Sequence, residues 1–224
     1  IKQRLKIPHN AEVIVVGSTH SGEEGLFFKI YREIRSEVEN AVLILAPRHI
    51  ERTKRIKRLG ERYGLKLVER TKIDSLDRWL EEDEIIILDT MGELADLYSV
   101  ATIVFVGGSL VDKGGHNLFE PVVYGKPVLF GPYIQDFEES AQLIQEKRIG
   151  IMVKDEEELK TQIISLLKDK TEQRAIYERA RKLLMEDKGL MGRYINIVGQ
   201  LLESETRKGG YICIERQKNT LSIL

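Results

Sequence analysis

The chain lacks the marks of several function classes. It holds one cysteine in 224 residues, Cys213, which excludes an internal disulfide, and no Cys/His spacing resembles a zinc site. Long apolar runs are missing: Ile103-Val104-Phe105-Val106 is among the longest stretches, whereas a helix needs roughly 20 apolar residues to cross a bilayer. Ile1 to Pro8 has no basic region leading into an apolar run and a cleavage site, so the expected location is cytoplasmic. The first residue is Ile1 rather than Met, so an N-terminally incomplete piece is expected. An excess of either charge is absent too, with Lys+Arg 35 against Asp+Glu 36. That balance gives no basic field for non-specific nucleic-acid binding, and an anionic ligand must be caught by a local site. Hydrophobic residues at 42% and charged residues at 32% describe a folding chain with a sizeable core.

The rhythm is a short β-branched run, a glycine or polar turn, then an amphipathic charged stretch, as in a parallel sheet with helical crossovers. Strands are expected at Glu12–Val16, Ala41–Leu45, Lys66–Val68, Glu84–Leu88, Thr102–Val106, Pro127–Phe130 and Ile149–Val153. Helices are expected at Gly22–Glu39 (Leu26, Ile30, Ile34 and Val38 inward), His49–Tyr63, Glu93–Tyr98, Asn117–Tyr124 and Phe137–Glu146. From Glu156 the pattern turns all-helical, at Glu156–Leu167, Glu172–Met185 and Met191–Glu203. The fold class is therefore α/β, a doubly wound Rossmann-like parallel sheet with a C-terminal helical extension. The expected domains are a linker over 1–8, a nucleotide-sugar-binding domain over 9–155, helices over 156–205 and a frayed tail over 206–224.

Ligands in such sheets bind outside the carboxyl ends of the strands, so chemistry is expected in the strand-to-helix loops. In Gly17-Ser18-Thr19-His20-Ser21-Gly22-Glu23-Glu24, hydroxyls and amides could hold phosphate oxygens, or Ser21 and Glu24 form only a capping box. Neither the dinucleotide fingerprint nor a P-loop is present there. Ala46-Pro47-Arg48-His49 offers Arg48 as a bidentate grip on an anion, with a lesser claim for His49. Arg52, Lys54, Arg55, Lys57 and Arg58 cover too many helical faces to aim at one pocket and read as solvated surface. In Asp89-Thr90-Met91-Gly92, backbone near Met91 and Gly92 could touch a base, or Asp89 or Thr90 caps a helix. The strongest loop runs Gly107-Gly108-Ser109-Leu110 to Gly114-Gly115-His116-Asn117, with Glu120 one turn beyond Asn117. Its glycines allow positive φ and close backbone approach to a phosphate, and Glu120 could accept from vicinal ribose hydroxyls. Alternatively Glu120 answers the helix dipole and Asn117 caps it. Gly131-Pro132 reads as an ordinary turn.

Taken together and in order, these motifs closely resemble the C-terminal half of the Kdo transferases. Those enzymes move 3-deoxy-D-manno-oct-2-ulosonic acid (Kdo) from CMP-Kdo to a lipid A precursor in lipopolysaccharide assembly. The likeness spans about residues 8 to 203. It implies the C-terminal half of a glycosyltransferase-B fold, metal-independent chemistry and CMP-Kdo as donor. It places Glu120 at the ribose, Gly107, Gly108, Ser109, Gly115, His116 and Asn117 around the phosphate, and Arg48 on an anionic group. Met91 and Gly92 fall on the base side, with Ser18, Thr19, His20 and His49 in the same donor site. The catalytic base, the acceptor site and peripheral attachment to the inner membrane would belong to the missing N-terminal half. Competing readings are a UDP-sugar transferase or non-hydrolysing UDP-sugar epimerase, and a non-catalytic nucleotide-binding domain.

Overall fold

The computed structural model describes residues 1–186. The chain divides into two compact units, Ile1–Leu183 and Leu184–Leu224, and the description concerns the first, with α8 followed to its end. Its elements are β1 (Glu12–Thr19), α1 (Glu23–Glu37), β2 (Ala41–Pro47), α2 (Thr53–Arg62), β3 (Lys66–Glu69), α3 (Arg70–Ile73), β4 (Glu84–Ile87) and α4 (Leu94–Val100). They continue as β5 (Ile103–Val106), α5 (Phe119–Val123), β6 (Val128–Phe130), α6 (Glu138–Glu146), β7 (Gly150–Met152), α7 (Glu156–Lys168) and α8 (Lys170–Glu186).

All seven strands are parallel, in the order β3-β4-β2-β1-β5-β6-β7. Strands covered on both faces should be apolar throughout rather than alternating, and Val13 to Val16 and Ile103 to Val106 are all buried. Right-handed crossovers that run in opposite directions from the centre put α1 and α4 on opposite faces. On the first face α1 packs beside α2 and α7; on the other α4 packs on β1 and α5. The buried stripe of α1 is Phe27, Phe28, Ile30, Tyr31 and Ile34 rather than one through Leu26: Phe27 meets Phe105 of the sheet edge-on at 4.9 Å, and Phe28 faces Tyr63 at the end of α2 at 6.1 Å.

Three expectations change. Residues 1–8 are no bare linker: Leu5 and Ile7 are buried, and the Leu80 amide donates to the Lys6 carbonyl at 3.0 Å. The break expected at Glu156 is not a boundary either, since α7 packs on α1 and β5 within the same unit. The capping box forms at Asp155 and Glu158, whose side chains accept from the Glu158 and Lys154 amides, and not at Ser21 and Glu24. The residue before α1 is Gly22, with no side-chain cap, because Glu24 is drawn inward. The helix and tail expected beyond residue 186 lie outside the described residues.

Candidate functional site

The strand order reverses between β1 and β5, and in a parallel sheet such a switch point is where a ligand crevice is expected, outside the strands' carboxyl ends. At its floor is a side chain that the sequence did not distinguish from an ordinary first-turn acid. Glu23 is buried, and its carboxylate accepts from four backbone amides: His20 (2.8 Å), Gly108 (2.9 Å), Ser109 (3.2 Å) and Leu110 (3.1 Å). The glycine-rich loop thus forms an anion-binding nest, as its composition suggests, but the anion it holds is internal. Burial raises the Glu23 carboxyl, and the four amides oppose that rise without cancelling it.

This corrects the roles expected for several residues. Gly107, Gly108, Ser109 and Gly115 are buried with their amides engaged, Gly107 to the Gly17 carbonyl at 2.8 Å and Gly115 to that of Gly108 at 2.9 Å. The Ser109 hydroxyl donates to the Val106 carbonyl at 2.5 Å and accepts from the Gly131 amide at 2.8 Å. Thr19 is also fully buried, its hydroxyl donating to Glu24 at 3.1 Å. These residues shape the crevice without facing it. Gly131 is likewise more than a turn: a Cβ there would overlap the Ser109 carbonyl. Gly131→Ala is expected to cost about 1–3 kcal/mol, as overpacking does, read by urea unfolding.

Above this floor three of the chain's four histidines converge, from the loops after β1, β2 and β5. His20 Nε2 and His116 Nε2 are 2.9 Å apart, with rings within 9° of parallel and centroids 5.2 Å apart. That separation is what coplanar rings meeting nitrogen to nitrogen require, so they share one hydrogen bond and at most one of the two nitrogens carries the proton. His49 stands edge-on to His20 at 5.9 Å. Gly108, at φ +69°, lies under the pair, where a Cβ would come within 3.2 Å of both rings. Ser18, at φ +56°, lies at the irregularity where the β1–β2 register shifts before Thr19 pairs with Pro47, and it is half-buried.

The surroundings are cationic. Burial, then His49, Arg52, Lys113 and Arg48, lower His20; burial, His20, Arg48 and His49 push His116 down to about 4, with Asp136 opposing. Arg48 is exposed, its amide tied to the Thr19 carbonyl at 3.0 Å. For His116 the sign is plain: the unfolded chain binds the proton more readily, so its contribution to stability is lost as pH falls from 6.5 toward about 4. An anion placed among these groups should reverse that depression. Anion binding is therefore expected to take up protons near neutral pH, read as a heat that varies with the buffer's ionisation enthalpy; a buffer-independent heat would separate the histidines from the ligand.

On the far side of the switch point, Glu120 is half-buried at the start of α5, and among the described residues its one side-chain hydrogen bond is a long 3.4 Å contact from the Asn117 side-chain amide. Burial raises its carboxyl and Asn117 opposes. Its charge also raises the buried Tyr98 phenol, after burial itself. Asn117 Oδ1 accepts from the amide of Phe119, the first residue of α5, at 3.0 Å, although the N-cap position itself is Leu118 and has no side-chain cap. Met91 and Gly92 are exposed at the end of β4. Asp89 caps no following helix; it accepts from the Thr71 amide and hydroxyl at 3.0 and 2.6 Å, holding α3, a turn too short for periodicity to detect. Sequence reasoning also missed Asp136, which packs on Gly114, and Tyr133, exposed beside Gly115.

No family model matches the chain. A 3-deoxy-D-manno-octulosonic acid transferase of Aquifex aeolicus is 36% identical over 172 residues, covering 77% of this chain and 46% of that protein. A solved structure, the C-terminal CMP-Kdo binding domain of WaaA from Acinetobacter baumannii, superposes with a TM-score of 0.73 at 25% identity, over 82% of this chain and 93% of that one. The chain is a relative of the Kdo transferases. Its sheet and flanking helices are those of the C-terminal domain of a glycosyltransferase-B fold. A bifunctional glycosyltransferase/methyltransferase of Fusobacterium nucleatum is also similar, 38% identical over 147 residues, which is 66% of this chain and 22% of that protein. The chain thus spans less than half the length of these two curated relatives. Among the described residues no helix is long and apolar enough to cross a membrane.

Proposed function

We propose that this Kdo-transferase relative binds CMP-Kdo in the β1/β5 crevice and serves as the donor half of a transferase acting on a lipid A precursor. The observation that carries the reading is the pairing, across one switch point, of Arg48 and three converging histidines (His20, His49 and His116) with the half-buried Glu120. A nucleotide has complementary parts: a phosphate for the cluster and a ribose diol for the carboxylate. Likeness to a CMP-Kdo binding domain over nearly all of that domain supports the same ligand.

In the transfer, an acceptor hydroxyl attacks the anomeric carbon while the bond from that carbon to the CMP phosphate oxygen breaks. The phosphate gains charge as it leaves, so donors aimed at it bind the transition state more tightly than the ground state. Arg48 provides such a donor; the Nε2 proton of the His20–His116 pair is held between the two rings, so only an Nδ1–H of either ring is left to donate. The acceptor's proton leaves through a base on the half not present here, and membrane attachment is assigned to that half as well. The reading gives charge stabilisation to side chains rather than to a divalent ion, so added EDTA is expected to leave CMP affinity unchanged.

Calorimetry of the chain with CMP, UMP and NADH tests the assignment. CMP-selective binding is the expected result. Equal affinity for all three would count against it, selectivity for UMP would favour a UDP-sugar enzyme, and CMP binding without transfer when an acceptor half is supplied would indicate a non-catalytic nucleotide-binding domain.

A further inference from the structure

The segment from Glu51 to Arg62 carries six basic side chains against two acidic ones, on a chain whose formal net charge is −1. As a string these residues cover several helical faces, and the fold sorts them. Lys57 turns to Glu69 at 3.2 Å, and Arg52 turns to Glu24 at 2.9 Å. Arg55, Arg58 and Arg62, at helical spacing i, i+3 and i+7, fall on one face and line a groove of about 360 Å³ between α1 and α2. Among the described residues none of the three guanidinium groups has a hydrogen bond or an ion pair. Glu24, the one carboxylate lining the groove, is already neutralised by Arg52.

Ile56 and Leu59 supply an apolar lining, and Gly25 leaves the α1 wall open, with Leu59 and Tyr63 no nearer than 3.7 Å to where a Cβ would stand. The volume is in the range of small-ligand clefts, about 300–1,000 Å³. Three unpaired guanidinium forks around a partly apolar wall match the tetrahedral oxygens of a phosphoryl group. Arg52 and Glu24 border the groove, while Arg48 and the histidines do not line it.

We propose that this groove is a second anion site, separate from the nucleotide crevice, which takes a phosphate monoester through Arg55, Arg58 and Arg62. The proposal does not rest on the transferase reading, since none of the residues assigned to the nucleotide lines the groove.

The test titrates the full chain with glucose 1-phosphate at low salt, alone and with excess CMP, with glucose as the uncharged control. Parallel titrations use Arg48→Gln and the triple variant Arg55→Gln/Arg58→Gln/Arg62→Gln. Saturable binding that persists in excess CMP and in Arg48→Gln, but weakens at least tenfold in the triple variant, is the expected result. The three positions are exposed, so the triple variant should keep its melting temperature and its CMP affinity. Binding that CMP displaces, that Arg48→Gln abolishes, or that the triple variant retains would overturn the proposal, as would no binding at all. Phosphatidylglycerol vesicles form the last arm: if they bind the chain through the three arginines while glucose 1-phosphate does not, the face is a membrane surface and the proposed site is wrong. Failure of CMP itself to bind would sink the nucleotide assignment and leave this one standing.

Discussion

Glu23→Ala is expected to destabilise the chain by about 3–5 kcal/mol, the scale of breaking a buried charged network by removing one member. The substitution leaves four amides, those of His20, Gly108, Ser109 and Leu110, facing an apolar void. An N–H that loses a charged partner without gaining water costs far more than the net worth of its bond. Urea unfolding measures the loss. A second readout separates the clamp from simple packing: the vacated nest should accept a small carboxylate, so formate should raise the melting temperature of Glu23→Ala and not that of the parent chain. Nucleotide affinity should fall with the clamp although Glu23 does not face the crevice, because Gly108 underlies both histidines and its carbonyl receives the Gly115 amide just before His116. A variant that unfolds like the parent, or that ignores formate, would remove the clamp from the account.

The second large effect is on affinity. Glu120→Ala should weaken CMP binding by about 1–3 kcal/mol, as expected for losing charge-assisted hydrogen bonds. Stability should change little, since the carboxylate's hydrogen bond to the fold is a single 3.4 Å contact and burial already opposes its charge. Glu120→Gln keeps one acceptor oxygen and should fall between the two. If CMP affinity is unaltered in both variants, the carboxylate does not hold the ribose. If unfolding shifts as much as binding, Glu120 is part of the scaffold. The pair of experiments distinguishes two acids near one switch point, Glu23, which binds the protein's own backbone, and Glu120, which is proposed to meet the ligand.

For Arg48 and Glu120 local pattern was enough to fix their place in the fold. Each stands in a strand-to-helix loop whose strand is announced by a β-branched run, and the rule that such loops carry ligands is a property of parallel sheets in general. The seven strands and their crossover helices follow in the same way from hydrophobic periodicity, since covering a sheet on both faces demands near-continuous apolar runs. The resemblance of the assembled motifs to the Kdo transferases was likewise present in the residue order alone.

What the sequence could not decide was which groups face the crevice. Glycines that can bend around a phosphate can equally bend around a carboxylate supplied 85 residues earlier in the chain, and composition does not tell the two apart. Thr19 and Ser109 have the hydroxyls a phosphate site needs, but their strands carry them below the surface, where backbone and Glu24 satisfy them. The arginines of α2 look scattered as a string, and only packing against α1 sets three of them on one wall. Periodicity along one segment fixes that segment's own conformation; the partner of a polar group depends on which distant loop the sheet order brings beside it. Here that was decided at the β1/β5 reversal, which joins residues 17–23 to residues 107–120.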